Sequence, residues 1–267
     1  MSGTAEKTVL AGGAIALILW TGVAYPPLSL ALVVASLVQA GACLWSCRVL
    51  FGPRAAAIFL GLGCTLGWFA EQMGSTHGWF FGSYTYTDVL GPRLGSVPIV
   101  IPLMWFGICH IGLVLASLAL WRQPAPPAGG WKTLALGVLG AALIVTAFDL
   151  GADPYFVYVL KAWIMQEKDG DWFGETVRGF EGWMIVSSVI LTLFLAMARP
   201  RGASPGTATA RHAALVPLLL YVFMMLFQVA FTQPVALKII AIFAMGIPAL
   251  IAAVAWTQWA GSREPAK

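Results

Sequence analysis

The chain has 267 residues, of which 60% are hydrophobic and only 10% charged, and its mean hydropathy is +0.85. That composition excludes a soluble domain of this length and predicts an all-α integral membrane protein. The formal charge of +4 is small and the basic residues are scattered through loops instead of striped along one face, which argues against nucleic-acid binding.

Apolar runs lie at about 8–24, 28–50, 55–72, 98–121, 132–150, 182–198, 213–231 and 235–259. Each is near the roughly 20 residues that a bilayer requires, which predicts about eight transmembrane helices. Pro, Gly and polar clusters separate them: Tyr25-Pro26-Pro27, Gly52-Pro53-Arg54, 122–130, 199–212 and Thr232-Gln233-Pro234. The last joint is so short that seven helices, with one long kinked segment, is the alternative. No soluble insertion interrupts the runs, so 1–267 reads as a single integral membrane domain. The first run follows Lys7 as the core of a secretory signal would. It reads better as an anchor, because with the amino terminus inside, ten lysines and arginines fall on one face and five on the other. All acids but two near the termini fall on the face with five. The bias predicts a cell-membrane protein with both termini cytoplasmic and any chemistry towards the non-cytoplasmic side.

Two polar stretches emerge on that side. The first, 71–105, crowds an acid, a histidine, several glycines and the rings Trp79, Phe80, Phe81, Tyr84 and Tyr86 between two apolar runs. A loop of this kind at membrane depth has to be buried in protein or line a cavity, since unpaired backbone groups cannot face hydrocarbon. The second, 149–183, contains the short apolar piece from Tyr155 to Met165 with Tyr155, Phe156, Tyr158 and Trp163, which predicts a short interfacial or re-entrant helix. Both stretches flank one expected pocket mouth.

Glu71 sits at the end of the third run among Trp68, Ala70 and Met73, where a carboxyl either holds a proton for delivery or simply snorkels to the interface. Asp149 lies within the fifth run and is the better candidate acid of the pair Asp149 and Asp153. Asp153 shares a helical face with it only if the helix continues through Gly151, and Pro154 argues that the helix ends there. Glu181, at the start of the sixth run, suits a helix N-terminus. Asp88 and Arg93 bracket a Gly-Pro turn and read as a surface pair. His77 is a candidate proton relay, His110 reads mainly as a packing residue, and Lys238 as a snorkelling helix-end lysine. The aromatics of the first stretch are either an interfacial belt or a lining whose π faces stabilise a cation. Gly63 and Gly67 form a GxxxG that reads as close helix packing. Cys43, Cys47, Cys64 and Cys109 lie in apolar runs without metal-ligand spacing and read as small buried hydrophobes. No dinucleotide or Walker motif offers a seat for a nicotinamide, flavin or nucleotide, so no cofactor and no metal are expected.

Glu71, then Phe81-Gly82-x-Tyr84-x-Tyr86-Thr87, Leu90-Gly91-Pro92, Val97-Pro98 and Trp105 form one block. Asp149-Leu150, Asp153-Pro154, Trp163, Phe173-Gly174 and Phe180-x-Gly182-Trp183 form a second. Together they resemble the CruF-type carotenoid 1,2-hydratases of the carotenoid biosynthesis membrane protein family, over about Ala70 to Trp183. The chain departs from that pattern at Thr176 and Gly179, where the family carries Pro and Asn. The resemblance implies addition of water to the terminal double bond of an acyclic carotenoid end group, on γ-carotene or lycopene-like polyenes. Protonation would give a tertiary carbocation that water captures, without a redox cofactor. It points to Glu71, Asp149 and Asp153 as candidate acids. Trp79, Phe81, Tyr84, Tyr86, Trp105, Trp163, Phe180 and Trp183 become candidate substrate-binding rings. The expected partners are an isoprenoid substrate, the lipid bilayer and other carotenoid-pathway enzymes. An isoprenoid isomerase or cyclase using the same acid, and a non-enzymatic isoprenoid carrier, stay open as alternatives.

Overall fold

In the computed structural model the described residues form eight helices: α1 (Gly3–Ala24), α2 (Pro27–Phe51), α3 (Pro53–His77), α4 (Val100–Trp121), α5 (Trp131–Pro154), α6 (Val177–Ala198), α7 (Ala208–Phe231) and α8 (Val235–Gly261). The structure describes residues 3–166, 170–200 and 204–262, so Glu167, Lys168 and Asp169 of the second polar stretch lie outside the described residues. Among the described residues, α2 to α8 are seven helices long and apolar enough to cross a bilayer, and the apolar part of α1, Ala11–Ala24, is shorter. The chain is an all-α polytopic membrane protein. α7 and α8 are separate helices, because Pro234 has no N–H to carry α7 onward and instead precedes the first turn of α8.

The most buried helix is α4, which packs against α2, α3, α5, α6, α7 and α8. Its apolar side chains run all round the helix, as an enclosed position requires. Gly63 and Gly67 let α3 lie directly on it: a Cβ at Gly63 would come within 2.7 Å of Phe106 Cα, and one at Gly67 within 2.6 Å of the Trp105 side chain. The expected packing role of the GxxxG is what these contacts serve, and it fixes Trp105 against α3.

Three helix ends differ from the sequence expectation. α3 runs past the apolar residues to His77 and stops at Gly78, whose φ of +68° closes the helix. The Ser75 and Thr76 hydroxyls bond back to the carbonyls of Glu71 and Gln72, so this polar turn stays helical. Glu71 is therefore inside the helix, not at its end. α6 begins at Val177, which moves Glu181 beyond the first turn and away from the helix terminus.

The third difference bears on the site. α5 continues through Gly151 to Pro154 and then into a π-helical turn, Tyr155–Val159. Pro154 leaves the Leu150 carbonyl without its helical N–H, and the Trp172 indole donates to that oxygen at 2.9 Å. With the carbonyl satisfied the helix tolerates the proline, so Asp149 and Asp153 share one face after all. The segment after the turn is not a separate interfacial or re-entrant helix. Residues Trp163–Met165 form a strand, β4, paired antiparallel with β1 (Tyr84–Tyr86) in the register Tyr84↔Met165, Tyr86↔Trp163. β2 (Arg93–Leu94) and β3 (Val97–Pro98) make a second small hairpin over the same end of the bundle. The β1–β4 pairing ties the two polar stretches to each other.

Candidate active site

The alternation of β1 decides which rings turn inward. Tyr84 and Tyr86 are buried and Thr85 between them is exposed, so both phenols point to α3. There they meet Glu71, which is 6% exposed. The Tyr86 hydroxyl donates to Glu71 Oε2 at 2.7 Å and the Tyr84 hydroxyl donates to the same oxygen. The Trp105 indole donates to Oε1 at 2.8 Å. Burial first, and the adjacent Glu71 carboxyl second, push the Tyr84 and Tyr86 phenols well above their ordinary value, so both keep the protons they donate. Three donors on one carboxyl group suit the ionised form, which is an acceptor only.

Glu71 borders a chamber of about 50 Å³, larger than a single water requires. Its walls are the rings of Phe81, Tyr84, Tyr86, Trp105, Trp163 and Trp183, with Ile101, Met104 and Met165 completing the apolar surface. Trp105 and Trp183 lie 4.5 Å apart between ring centroids, and Tyr86 meets Trp163 edge to face at 5.8 Å. The faces of such rings attract positive charge.

The second carboxyl in the wall is Asp153. The Trp163 indole donates to its Oδ1 at 3.1 Å, and the Glu175 carboxyl acts on it from the neighbouring hairpin. Gly179 lies beside Oδ2: a Cβ there would sit 3.9 Å from it, so the glycine widens the chamber next to this oxygen. Asp149 is one helical turn back from Asp153 and buried, with Oδ2 unpartnered. It lies behind the chamber wall and not in it.

Most of the residues expected from the sequence are thus brought to one place. Glu71, Asp153, Phe81, Tyr84, Tyr86, Trp105, Trp163 and Trp183 line the chamber. Two expected rings do not. Trp79 is half exposed and packs near His77 and Phe80, because it precedes the turn that sends Phe81 inward. Phe180 packs on Trp172 instead, where it supports the indole that caps Leu150. His77 is exposed and hydrogen-bonded to Thr76, away from the chamber. Asp88 and Arg93 pair at 2.6 Å on the surface, as expected. His110 is buried against Phe59 and Phe106 and bonded to Ser46 at 2.9 Å, which is the packing role.

One acid of this region was not singled out by sequence. Glu175 is 1% exposed, and among the described residues neither of its carboxyl oxygens meets a donor in full hydrogen-bond geometry, although Asp153 and Tyr158 stand close enough to act on it. It sits on a tight hairpin in which Trp172 and Glu175 bridge, and the groups acting on it are Asp153 and Tyr158. Its only sequence signal was its place directly after Phe173-Gly174.

A family model described as carotenoid biosynthesis protein matches residues 28–256. The chain belongs to this family. Over 125 residues it is also 29% identical to a bisanhydrobacterioruberin hydratase from Haloarcula japonica, a stretch covering 46% of this chain and 39% of that protein. The match thus spans about two fifths of that relative's length. No solved structure matches the chain.

Proposed function

We propose that this carotenoid biosynthesis protein is a hydratase that adds water to the terminal carbon–carbon double bond of an acyclic carotenoid end group. The observation that carries this reading is the contrast between two carboxyls in one aromatic chamber. Glu71 takes three donors, whereas Asp153 takes one indole donor and has its Oδ2 beside Gly179 in the chamber wall. The family and the hydratase relative support the same class of chemistry.

Protonated Asp153 acts as the general acid. Its Oδ2 delivers the proton to the less substituted alkene carbon; the π pair forms the new C–H bond and the other carbon becomes a tertiary cation. The ionised Glu71 carboxylate and the faces of Trp105, Trp183 and Trp163 stabilise that cation, preorganised by the two tyrosines. A water captures the cation, the resulting oxonium releases its excess proton to solvent to leave a tertiary alcohol, and the Asp153 carboxylate takes up a proton before the next turnover. The charge bias supports a chamber towards the non-cytoplasmic face, with the rest of the polyene lying among apolar helices.

Expression in a host that accumulates lycopene or γ-carotene tests the reading by product mass. A product one water heavier than the precursor is expected. An isomer of unchanged mass would instead support an isomerase or cyclase using the same acid, and unaltered pigment co-purifying with the protein would support a carrier.

A further inference from the structure

The hydratase reading assigns Asp153 a proton but does not say how that proton is replaced after each turnover, and Glu175 is left over by the mechanism. A buried carboxyl that meets no donor in full hydrogen-bond geometry and no cation is costly to retain as a purely structural group. Glu175 is such a group, and its position is specific. Its hairpin, residues 170–175, closes over the α5 end that carries Asp153, and Trp172 of the same hairpin donates to the Leu150 carbonyl there. On its other side stands Tyr158, which is 42% exposed. Gly174, with φ +95°, makes room for that phenol, since a Cβ there would come within 2.3 Å of the Tyr158 oxygen. The order from surface to chamber is therefore Tyr158, Glu175, Asp153.

We infer that Glu175 is a relay residue that reloads Asp153 with protons drawn from the aqueous surface beside Tyr158. The inference rests on the hydratase reading for what Asp153 does with the proton, but the relay itself is a property of the side chains. The groups facing Glu175 are Asp153 and Tyr158, and Asp149 also feels its charge. Glu71 acts on both aspartates from α3. Arg178, three residues on, donates to the Gly78 carbonyl, and among the described residues no cation pairs with Glu175. Acids gathered without a cation cannot all be ionised together, so they share protons. Burial holds the Glu175 carboxyl up at about 7, against the stabilising contacts of Tyr158 and Asp153. A group half-protonated near neutrality is suited to both taking a proton from water and passing it on.

The test uses the full chain in lipid nanodiscs, comparing wild type with Glu175→Gln, Glu175→Ala and Tyr158→Phe. Loss of the relay should lower kcat by roughly 10- to 100-fold with KM unchanged. The fall in wild-type rate as pH rises through about 7 should vanish in Glu175→Gln. Acetate or formate in the buffer should restore rate to Glu175→Ala, and Tyr158→Phe should show a smaller loss. A merely structural role would lower activity in Glu175→Gln while keeping the pH profile and refusing rescue by small acids, and that result overturns the relay. Infrared titration of protonated carboxyl groups gives a readout independent of turnover. The relay predicts a band that titrates near neutrality in wild type and disappears in Glu175→Gln; persistence of that band overturns it. If the band is lost as predicted but wild type makes no hydrated product, the hydratase reading fails and the relay stands.

Discussion

Glu71 and Asp153 border the same chamber, yet their surroundings differ in kind. Glu71 sits within α3 with donors on both oxygens, two of them supplied by a strand whose alternation leaves no other place for the phenols. Asp153 has one donor, and its neighbours Asp149 and Glu175 carry buried oxygens with none. The difference teaches how one site can divide labour between two chemically similar groups. A carboxyl wrapped in donors has its negative charge supported by those hydrogen bonds, while one gathered among other acids with few donors is suited to exchange protons.

The comparison can be broken most forcefully at Asp153. Asp153→Asn removes the acid and should cost about 10³-fold in hydrated product while leaving the protein in the membrane. Glu71→Gln keeps the shape but cancels the charge and sets an amide against three donors; a loss of about 10²-fold is expected. If the two variants behaved alike in size and in pH dependence, the division of roles would be wrong. Trp163→Phe strips Asp153 of its donor and should lower the rate about 10-fold, the scale of one buried hydrogen bond to a charged group. Trp79→Ala, which alters a ring outside the chamber, should change product yield only about twofold, as expected where no special contact is lost. A large effect at Trp79 with an intact membrane fraction would show that the substrate reaches beyond the chamber walls.

Glu175 adds a stability signature. Its carboxyl titrates at about 7 in the folded chain against an ordinary value of 4.5. The unfolded chain therefore releases this proton first as pH rises, so the group lowers stability progressively between those two values and no further above them. Thermal unfolding in detergent should show this slope in wild type and a shallower one in Glu175→Gln.

Much of this was legible in the sequence because it follows from local pattern. The apolar runs gave all eight helices, and the two polar, ring-rich stretches were recognisable as one site from their charge and from the family-like order of their motifs. What escaped depends on partners distant in sequence. Pro154 looked like a helix stop, and it would be one without the Trp172 indole, 22 residues later, on the Leu150 carbonyl. Asp153 faces the chamber only because of that bond. The end of α3 was misjudged because Ser75 and Thr76 bond to their own helix and keep a polar turn helical. Trp79 and Phe81 are alike in type, and only the turn between them, with Phe80 at φ +59°, decides which one is buried. Glu175 had no signal of its own, since its burial comes from a hairpin closing on Tyr158.

The most direct test of the central claim is the mass of the pigment formed when the wild-type chain and Asp153→Asn are each expressed in a lycopene-producing host. The account predicts a tertiary alcohol one water heavier than its precursor from wild type and unchanged precursor from the variant. Hydrated product in equal yield from both, or from neither with the wild-type protein folded in the membrane, would contradict it.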